Sequence, residues 1–550
     1  MGIKPLIKPV FVLLYLVNAL FMPSLCIGHE SPVHILSFKM EPFLAPQTNC
    51  IKVKGSLKGK TSGEYLLRLP ASFSNLQFNA DSKKISLAKT YDPKTVRLIH
   101  YPGEDINFSY DVCINNPYRN VRTPIIEGEF IEIISELMLL TPDEEPSALA
   151  LINIDLTAFP DDLKTVTSYN HSQRKFQVAT TINDFRDSVF AIGDFNLDKI
   201  NINENDVLVV TNGTWSYFEH SPSDYVKEVL KAQRNFWNDH HFPHYVVFLV
   251  KQNKHFWVPK HITGKHWHNV AIINAPEEKE LFSLLLYSLS HEVFHAWVGE
   301  KMKIEQPQGG LQWFLEGFND YYGLYISQKS NLISLKEYIE IYNLYMQEYL
   351  LSPLKNVSNQ TIKEKYQFFG PFAQIAQIRG HFLANQLRNE YENNGENKFD
   401  KAMRDLFLRY QEQKWPNLTE ARIDAVFQEH VGAKAWEEFK NLVNSGKDIT
   451  FSPTVFLPYA KLVEKQLDVP EFGFNLSDLY FNNSISQVEV NSNAYQAGLR
   501  NGQKVKSYDI NPRAKDKIVT ITAIEDGAEK IIKFKPKVVQ KRIPQYVLVN

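Results

Sequence analysis

The sequence predicts a multidomain α+β chain, and three observations carry that expectation. Short apolar runs broken by turn clusters fill the stretch to about residue 190, capped helical periods dominate from there to about 450, and short runs return beyond. At 550 residues two to four domains are expected, and 44% hydrophobic with 13% aromatic residues suffices for several cores. The divisions read from these shifts are 1–28 as a signal peptide, 29–190 as an all-β domain, 191–450 as a mostly helical domain and 451–550 as a second β domain.

The first 28 residues pair Lys4 and Lys8 with the apolar run Val10 to Val17, and small residues Cys26 and Gly28 precede His29. That core is short for a membrane span, so an exported chain, periplasmic or secreted, without stable membrane insertion is expected. Removing it takes the formal charge from −2 to −2 − 2 = −4, a mild value that points to no nucleic-acid partner. Cys50 and Cys113 are the cysteines left, and an oxidising compartment would let them pair.

Strand-like runs such as Glu64 to Pro70, Val96 to Tyr101 and Phe130 to Ile134 define the first β domain, which carries no sign of chemistry. Ser221-Pro222-Ser223-Asp224 then starts a helix expected to run to about Trp237, with Ser as N-cap and Pro at the first helical position. His244 to Val250 and Asn269 to Asn274 read as strands, the second leading through Pro276-Glu277-Glu278 into a helix and offering an edge to which an extended peptide could pair. His240, His241, His244, His255, His266 and His268 crowd this region; they could hold a second metal, although loop histidines near a cleft are more often solvated or packed. Later helices are expected over Leu335 to Leu351, Phe372 to Glu392, Phe399 to Gln411 and Glu420 to Ser445, closed by Gly446.

The chemistry sits in Ser288-Leu289-Ser290-His291-Glu292-Val293-Phe294-His295-Ala296-Trp297. Residues at i and i+4 leave a helix on nearly one face, so His291 and His295 can converge on one ion, while Glu292 is rotated off that axis toward a water. A catalytic zinc wants three protein ligands and an open position. Gln312 to Tyr322 offers the third on a second helix: Glu316 as ligand, with Asp320 at i+4 to accept the free N–H of a ligating imidazole. One zinc ion, with Glu292 as general base, acting on peptide or protein substrates, is the expectation. Its rival is a catalytically silent relative that binds peptides.

H-E-V-F-H-A-W followed by W-F-L-E-G-F-N-D-Y-Y-G resembles the gluzincin clan that includes aminopeptidase N, and more closely its bacterial glycyl aminopeptidase branch with a C-terminal PDZ domain. The resemblance, specific over about residues 240–450, implies a thermolysin-like catalytic domain, zinc on His291, His295 and Glu316, and the general base at Glu292. In the tail, Asn493 to Val505 resembles the A-x-x-A-G-L-x-x-G-D-x-I signature of PDZ domains, with a carboxylate loop near Phe472-Gly473-Phe474. Two departures stand out. The stretch Gly264-Lys265-His266-Trp267-His268-Asn269 lacks the glutamate with which relatives hold a substrate's free amine, so preference for free N-termini should weaken. The tyrosine expected three residues before Gly370, which in relatives stabilises the oxyanion, is Gln367 here, with Tyr366 one residue off.

Overall fold

The computed structural model describes the chain apart from residues 1–33, 43–49, 83, 115–123, 128–129, 170–172, 217, 242–243, 253–261, 306–307, 368–369, 392–396, 513, 526 and 550. The expected signal peptide and His255 lie outside the described residues.

The first part is all β apart from single helical turns, Ser135–Met138 and Ile182–Arg186. Its largest sheet has six strands, in which Cys50–Lys58 pairs antiparallel with Asp105–Cys113. That register sets Cys50 directly opposite Cys113, and the two form a disulfide. Closing a loop of 63 residues contributes about 4 kcal/mol in the chain-entropy model.

A five-stranded sheet follows, ordered Asn196–Ile202, Asn205–Asn212, His244–Lys251, Val270–Ala275 and Thr263–Trp267. Its three inner strands are parallel and nearly continuous apolar runs, because both faces are covered. One face packs on helices through Val207, Tyr245 and Ile273. The other meets Phe130, Val189 and Phe195 of the β domain through Val210, Phe248, Trp267 and Ile272. The expectation for Asn269 to Asn274 is corrected here: that strand is interior, and the edge is its antiparallel neighbour Thr263–Trp267, which turns back at Asn269 with φ 56°.

Ser221 caps the helix Pro222–Trp237 as expected, its hydroxyl accepting from the Asp224 N–H. The histidine helix, Phe282–Phe294, begins later than expected. A 3₁₀ turn, Lys279–Leu281, precedes it, and Glu277 pairs with Lys251 and Ser216 instead of capping it. The glutamate helix, Gln312–Lys329, packs against it and is crossed closely by Pro371–Glu390. That crossing needs Gly380, where a Cβ would come within 1.9 Å of the Trp313 carbonyl oxygen.

The long helix expected from Glu420 to Ser445 is two, Glu420–Val431 and Ala433–Ser445. Gly432, at φ 93° and ψ 141°, breaks it, a conformation few other residues adopt. In the tail, Ala460–Glu471 and Lys537–Leu548 form a two-stranded ribbon beside a three-stranded sheet, Lys504–Asp509, Val519–Glu525 and Ala528–Phe534. The ribbon is bolted to the helix Leu335–Leu351: Asn343 donates to the Tyr546 carbonyl at 2.8 Å and accepts from its N–H at 2.9 Å. Among the described residues no helix separates Lys504–Asp509 from Val519–Glu525.

Candidate active site

The two histidines leave the last turn of Phe282–Phe294; His295 is its C-cap and keeps helical angles, φ −58° and ψ −21°, so the i, i+4 relation holds. His291 Nε2 and His295 Nε2 stand 3.2 Å apart. Glu316 Oε2 lies 3.3 Å from the first and 3.4 Å from the second. A tetrahedral zinc with bonds of about 2.0–2.1 Å spaces its ligand atoms about 3.3–3.4 Å apart, so these three atoms match one face of such a site. Glu292 belongs to the same cluster, but its Oε1 is 4.0 Å from His291 Nε2, outside that triangle. Spacing alone groups His291, Glu292 and His295 as a candidate metal cluster; the shorter distances to Glu316 make Glu316 the better third ligand.

The surroundings fix the rings. Asp320 Oδ1 lies 2.8 Å from His291 Nδ1, as expected for the acceptor of its free N–H. Tyr287 also donates to Asp320 Oδ1, Gln377 donates to Oδ2 at 2.7 Å, and Tyr345 meets the Tyr287 hydroxyl at 2.7 Å. His295 Nδ1 lies 3.1 Å from the Val298 carbonyl oxygen, an acceptor for its N–H, and Asn319 Nδ2, 2.6 Å from the ring nitrogen, donates to that same carbonyl at 3.3 Å. With its proton on that side, His295 turns a lone pair at Nε2 to the triangle.

Burial pushes His295 down to about 4, so its imidazole is neutral at pH 7. Burial raises the Glu316 carboxyl, but His295 and His291 outweigh it and hold it well below the usual range. Glu292 is pushed up to about 7 by burial, against the pull of His291 and Lys265. A group poised there suits proton transfer near neutral pH.

The groove strand, Thr263–Trp267, forms the opposite wall. A Cβ on Gly264 would sit 2.3 Å from Glu292 Oε1, so bare backbone is what makes room for the carboxylate. His266 Nδ1 lies 3.0 Å from the Glu292 carbonyl, and its Nε2 meets Glu300 Oε2 at 2.5 Å. Glu300 also takes the Asn269 N–H at 2.9 Å and lies 3.0 Å from His268 Nδ1. Burial pushes Glu300 up, and the two histidines outweigh it, holding it well below the usual range. His266 and His268 are thus tied to one carboxylate, His244 faces the Thr167 carbonyl at 3.1 Å, and His240 meets Asn203 at 2.7 Å.

The cleft is a cavity of about 300 Å³, lined by Lys265, Tyr287, His291, Glu292, Gln312, Glu316, Tyr345 and Gln377 among others. Neither Tyr366 nor Gln367 lines it: Gln367 is exposed, and Tyr366 donates to Gln312 Oε1 at 3.2 Å. A second cavity, about 340 Å³, continues past His295 and Glu316 to Glu136, Asp184 and Asp187 of the β domain, with Lys265 lining both. The residues singled out from the sequence, His291, Glu292, His295, Glu316 and Asp320, are brought together here, whereas Gly264, Gln312, Tyr287, Gln377 and the Glu300 anchor were not among them. Gln312 alone left a signal, standing four residues before Glu316 on the same helical face.

Residues 285–368 match the family model of the M61 glycyl aminopeptidase. An aminopeptidase N family protein from Idiomarina loihiensis matches in structure with a TM-score of 0.68 at 12% identity, over 92% of this chain and 98% of that one. An M1 zinc metallopeptidase from Deinococcus radiodurans matches with a TM-score of 0.52 at 12% identity, over 76% of this chain and 95% of that one. A search of curated protein sequences returns no match. The chain resembles the M61 glycyl aminopeptidases over the segment that carries His291, Glu292, His295 and Glu316, and it shares its fold with aminopeptidase N proteins.

Proposed function

We propose that this chain is an exported zinc metallopeptidase holding one ion on His291, His295 and Glu316, with Glu292 as general base. The observation that carries the reading is the triangle of 3.2, 3.3 and 3.4 Å among their ligand atoms. Both the family match and the shared fold support a zinc peptidase. The ion, when bound, supplies Lewis acidity and makes a water nucleophilic near neutral pH. Glu292 takes a proton from that water and returns it to the departing amine, the role its raised carboxyl suits. Asp320 and Asn319 hold the two imidazoles in register, and the edge strand Thr263–Trp267 leaves backbone groups for an extended substrate.

For specificity we read a peptidase that gains nothing from a free N-terminus, because the groove stretch Gly264 to Asn269 carries no acid to hold an ammonium and its Lys265 lines the cleft. Export is supported by the Cys50–Cys113 disulfide, and no helix among the described residues is long and apolar enough to cross a membrane. The tail is read as a PDZ-like unit serving as a structural cap. Among the described residues no helix lies between Lys504–Asp509 and Val519–Glu525 to wall the cavity of about 390 Å³ at Phe472-Gly473-Phe474.

The test is zinc analysis beside peptide cleavage. Wild type should hold about one zinc and cleave; Glu292→Gln should keep the metal and lose at least about 10²–10⁴ in rate. Wild type without zinc after exchange into zinc buffer refutes the ligand set, and zinc without cleavage favours the silent peptide binder.

A further inference from the structure

Attack on a peptide carbonyl builds negative charge on its oxygen, and a fixed donor aimed at that oxygen accelerates the step. The polar side chains around the cleft are not equally available for this. Tyr287 and Gln377 both donate to Asp320, and Tyr345 meets Tyr287. Gln374 is exposed at the start of Pro371–Glu390 and makes no side-chain hydrogen bond among the described residues.

Gln312 differs on each count. It is 4% exposed, lines the cleft, and opens the series Gln312, Glu316, Asp320, which stands at i, i+4 and i+8 on one face of the glutamate helix. Its Oε1 accepts from the Tyr366 hydroxyl at 3.2 Å, which fixes the amide plane and leaves the NH₂ end toward the cleft. No described residue accepts from that nitrogen. Tyr366 is itself seated on bare backbone, since a Cβ on Gly309 would come within 2.8 Å of its Cβ.

We infer that the Gln312 amide is the donor to the oxyanion and that Tyr366 is its positioning residue, a role that rests on the hydrolytic reading above. In the step, the water oxygen bonds to the carbonyl carbon, its proton passes to Glu292, and the carbonyl π pair moves onto oxygen, where the Gln312 N–H donates a hydrogen bond. When the pair returns, the C–N bond breaks and Glu292 gives its proton to the nitrogen. Gln312 neither gains nor loses a proton. The one-residue shift of the tyrosine relative to Gly370 is thereby accommodated: the hydroxyl stops at Gln312 Oε1, and the amide spans the remaining distance.

The test compares Gln312→Met, which keeps the length and removes the donor, with Tyr366→Phe in the zinc-loaded full chain. The readouts are kcat and KM on an N-acetylated peptide, and the Kd of a phosphinic peptide whose tetrahedral oxygens mimic the oxyanion. Gln312→Met should lower kcat about 10²–10³-fold at nearly constant KM and weaken phosphinate binding by a similar factor. Zinc content and Tm should stay at wild-type values. Tyr366→Phe should lower kcat about tenfold, as expected for a displaced rather than a deleted donor. A loss in Tyr366→Phe equal to or above that in Gln312→Met overturns the assignment in favour of the tyrosine itself. So does phosphinate affinity in Gln312→Met within threefold of wild type, a readout that stands even if wild type cleaves nothing and the hydrolytic reading falls.

Discussion

On the helical wall of the cleft the reactive groups stand on two continuous helices, whereas on the strand wall they are placed by contacts between segments far apart in sequence. His291, His295, Glu316 and Asp320 need only the helical repeat and one helix crossing to converge. Gly264, Lys265 and His266 reach their places because Glu300, beyond the end of the histidine helix, ties His266, His268 and the Asn269 N–H to itself. On the proposed function, the helical wall would therefore hold a metal in many sequence contexts, while the strand wall would set Glu292 and a substrate at a distance that single side chains control. Perturbing the strand wall should disturb catalysis while leaving zinc bound.

Gly264→Ala is the strongest such perturbation. The new Cβ would collide with the Glu292 carboxylate, and the groove strand is paired along its length with Val270–Ala275, so the side chain must move rather than the strand. A misplacement of about 1 Å costs about 10² in rate. The expected outcome is a kcat lowered by about 10²–10³ with zinc content unchanged, read by single-turnover cleavage and metal analysis. An alanine variant with wild-type kcat would mean that Glu292 is not held against the strand.

The same contrast explains what could be read from the sequence. Helical spacing made His291, His295, Glu316 and Asp320 visible, since one repeat fixes both side-chain direction and distance. The Ser221 cap and the bounds of Leu335–Leu351 were legible for the same local reason. The edge strand was misassigned because Thr263–Trp267 is polar and short, and edge status depends on which neighbours a strand finds. The break at Gly432 was missed because the amphipathic pattern runs on through it. The tie of Glu300 to His266, 34 residues away, and that of Tyr366 to Gln312, 54 residues away, have no local signature.

Glu300→Gln should have a smaller effect, spread over stability and rate. The amide can still accept one bond but removes the carboxylate charge that His266, His268 and the Asn269 N–H share, so the loss should be about 2 kcal/mol, below the 3–5 kcal/mol of deleting a buried partner outright. The sign with pH follows from the lowered carboxyl of Glu300. Its contribution is present above the unfolded value of about 4.3 and is lost as pH falls through the folded value, so the gap between wild type and variant should narrow in acid. Urea denaturation at pH 7 and at about pH 3, below the unfolded value, measures it. Equal stability at both pH values, for both proteins, would show that the pair is not what anchors the strand.

Lys265→Met should move least, and it probes what the strand wall does to charge. Burial holds the Glu292 carboxyl up to about 7, and the Lys265 ammonium works against burial by favouring the ionised form. A base must be deprotonated to act, so kcat/KM falls as pH drops through its pKa. A zinc dication also favours the carboxylate, so the limb in the loaded enzyme should lie below 7 in wild type and shift upward in Lys265→Met. Lys265 also favours the ionised form of Asp187 and so shields the acids of the second cavity from a substrate ammonium. A peptide library offered with free and with acetylated N-termini should therefore be cleaved alike by wild type, and Lys265→Met should begin to favour the free amines by a few fold. Exclusive cleavage of free N-termini by wild type would mean that Asp187 and Glu136 of the β domain already hold the ammonium. In that case Asp187→Asn, not Lys265→Met, should change the preference.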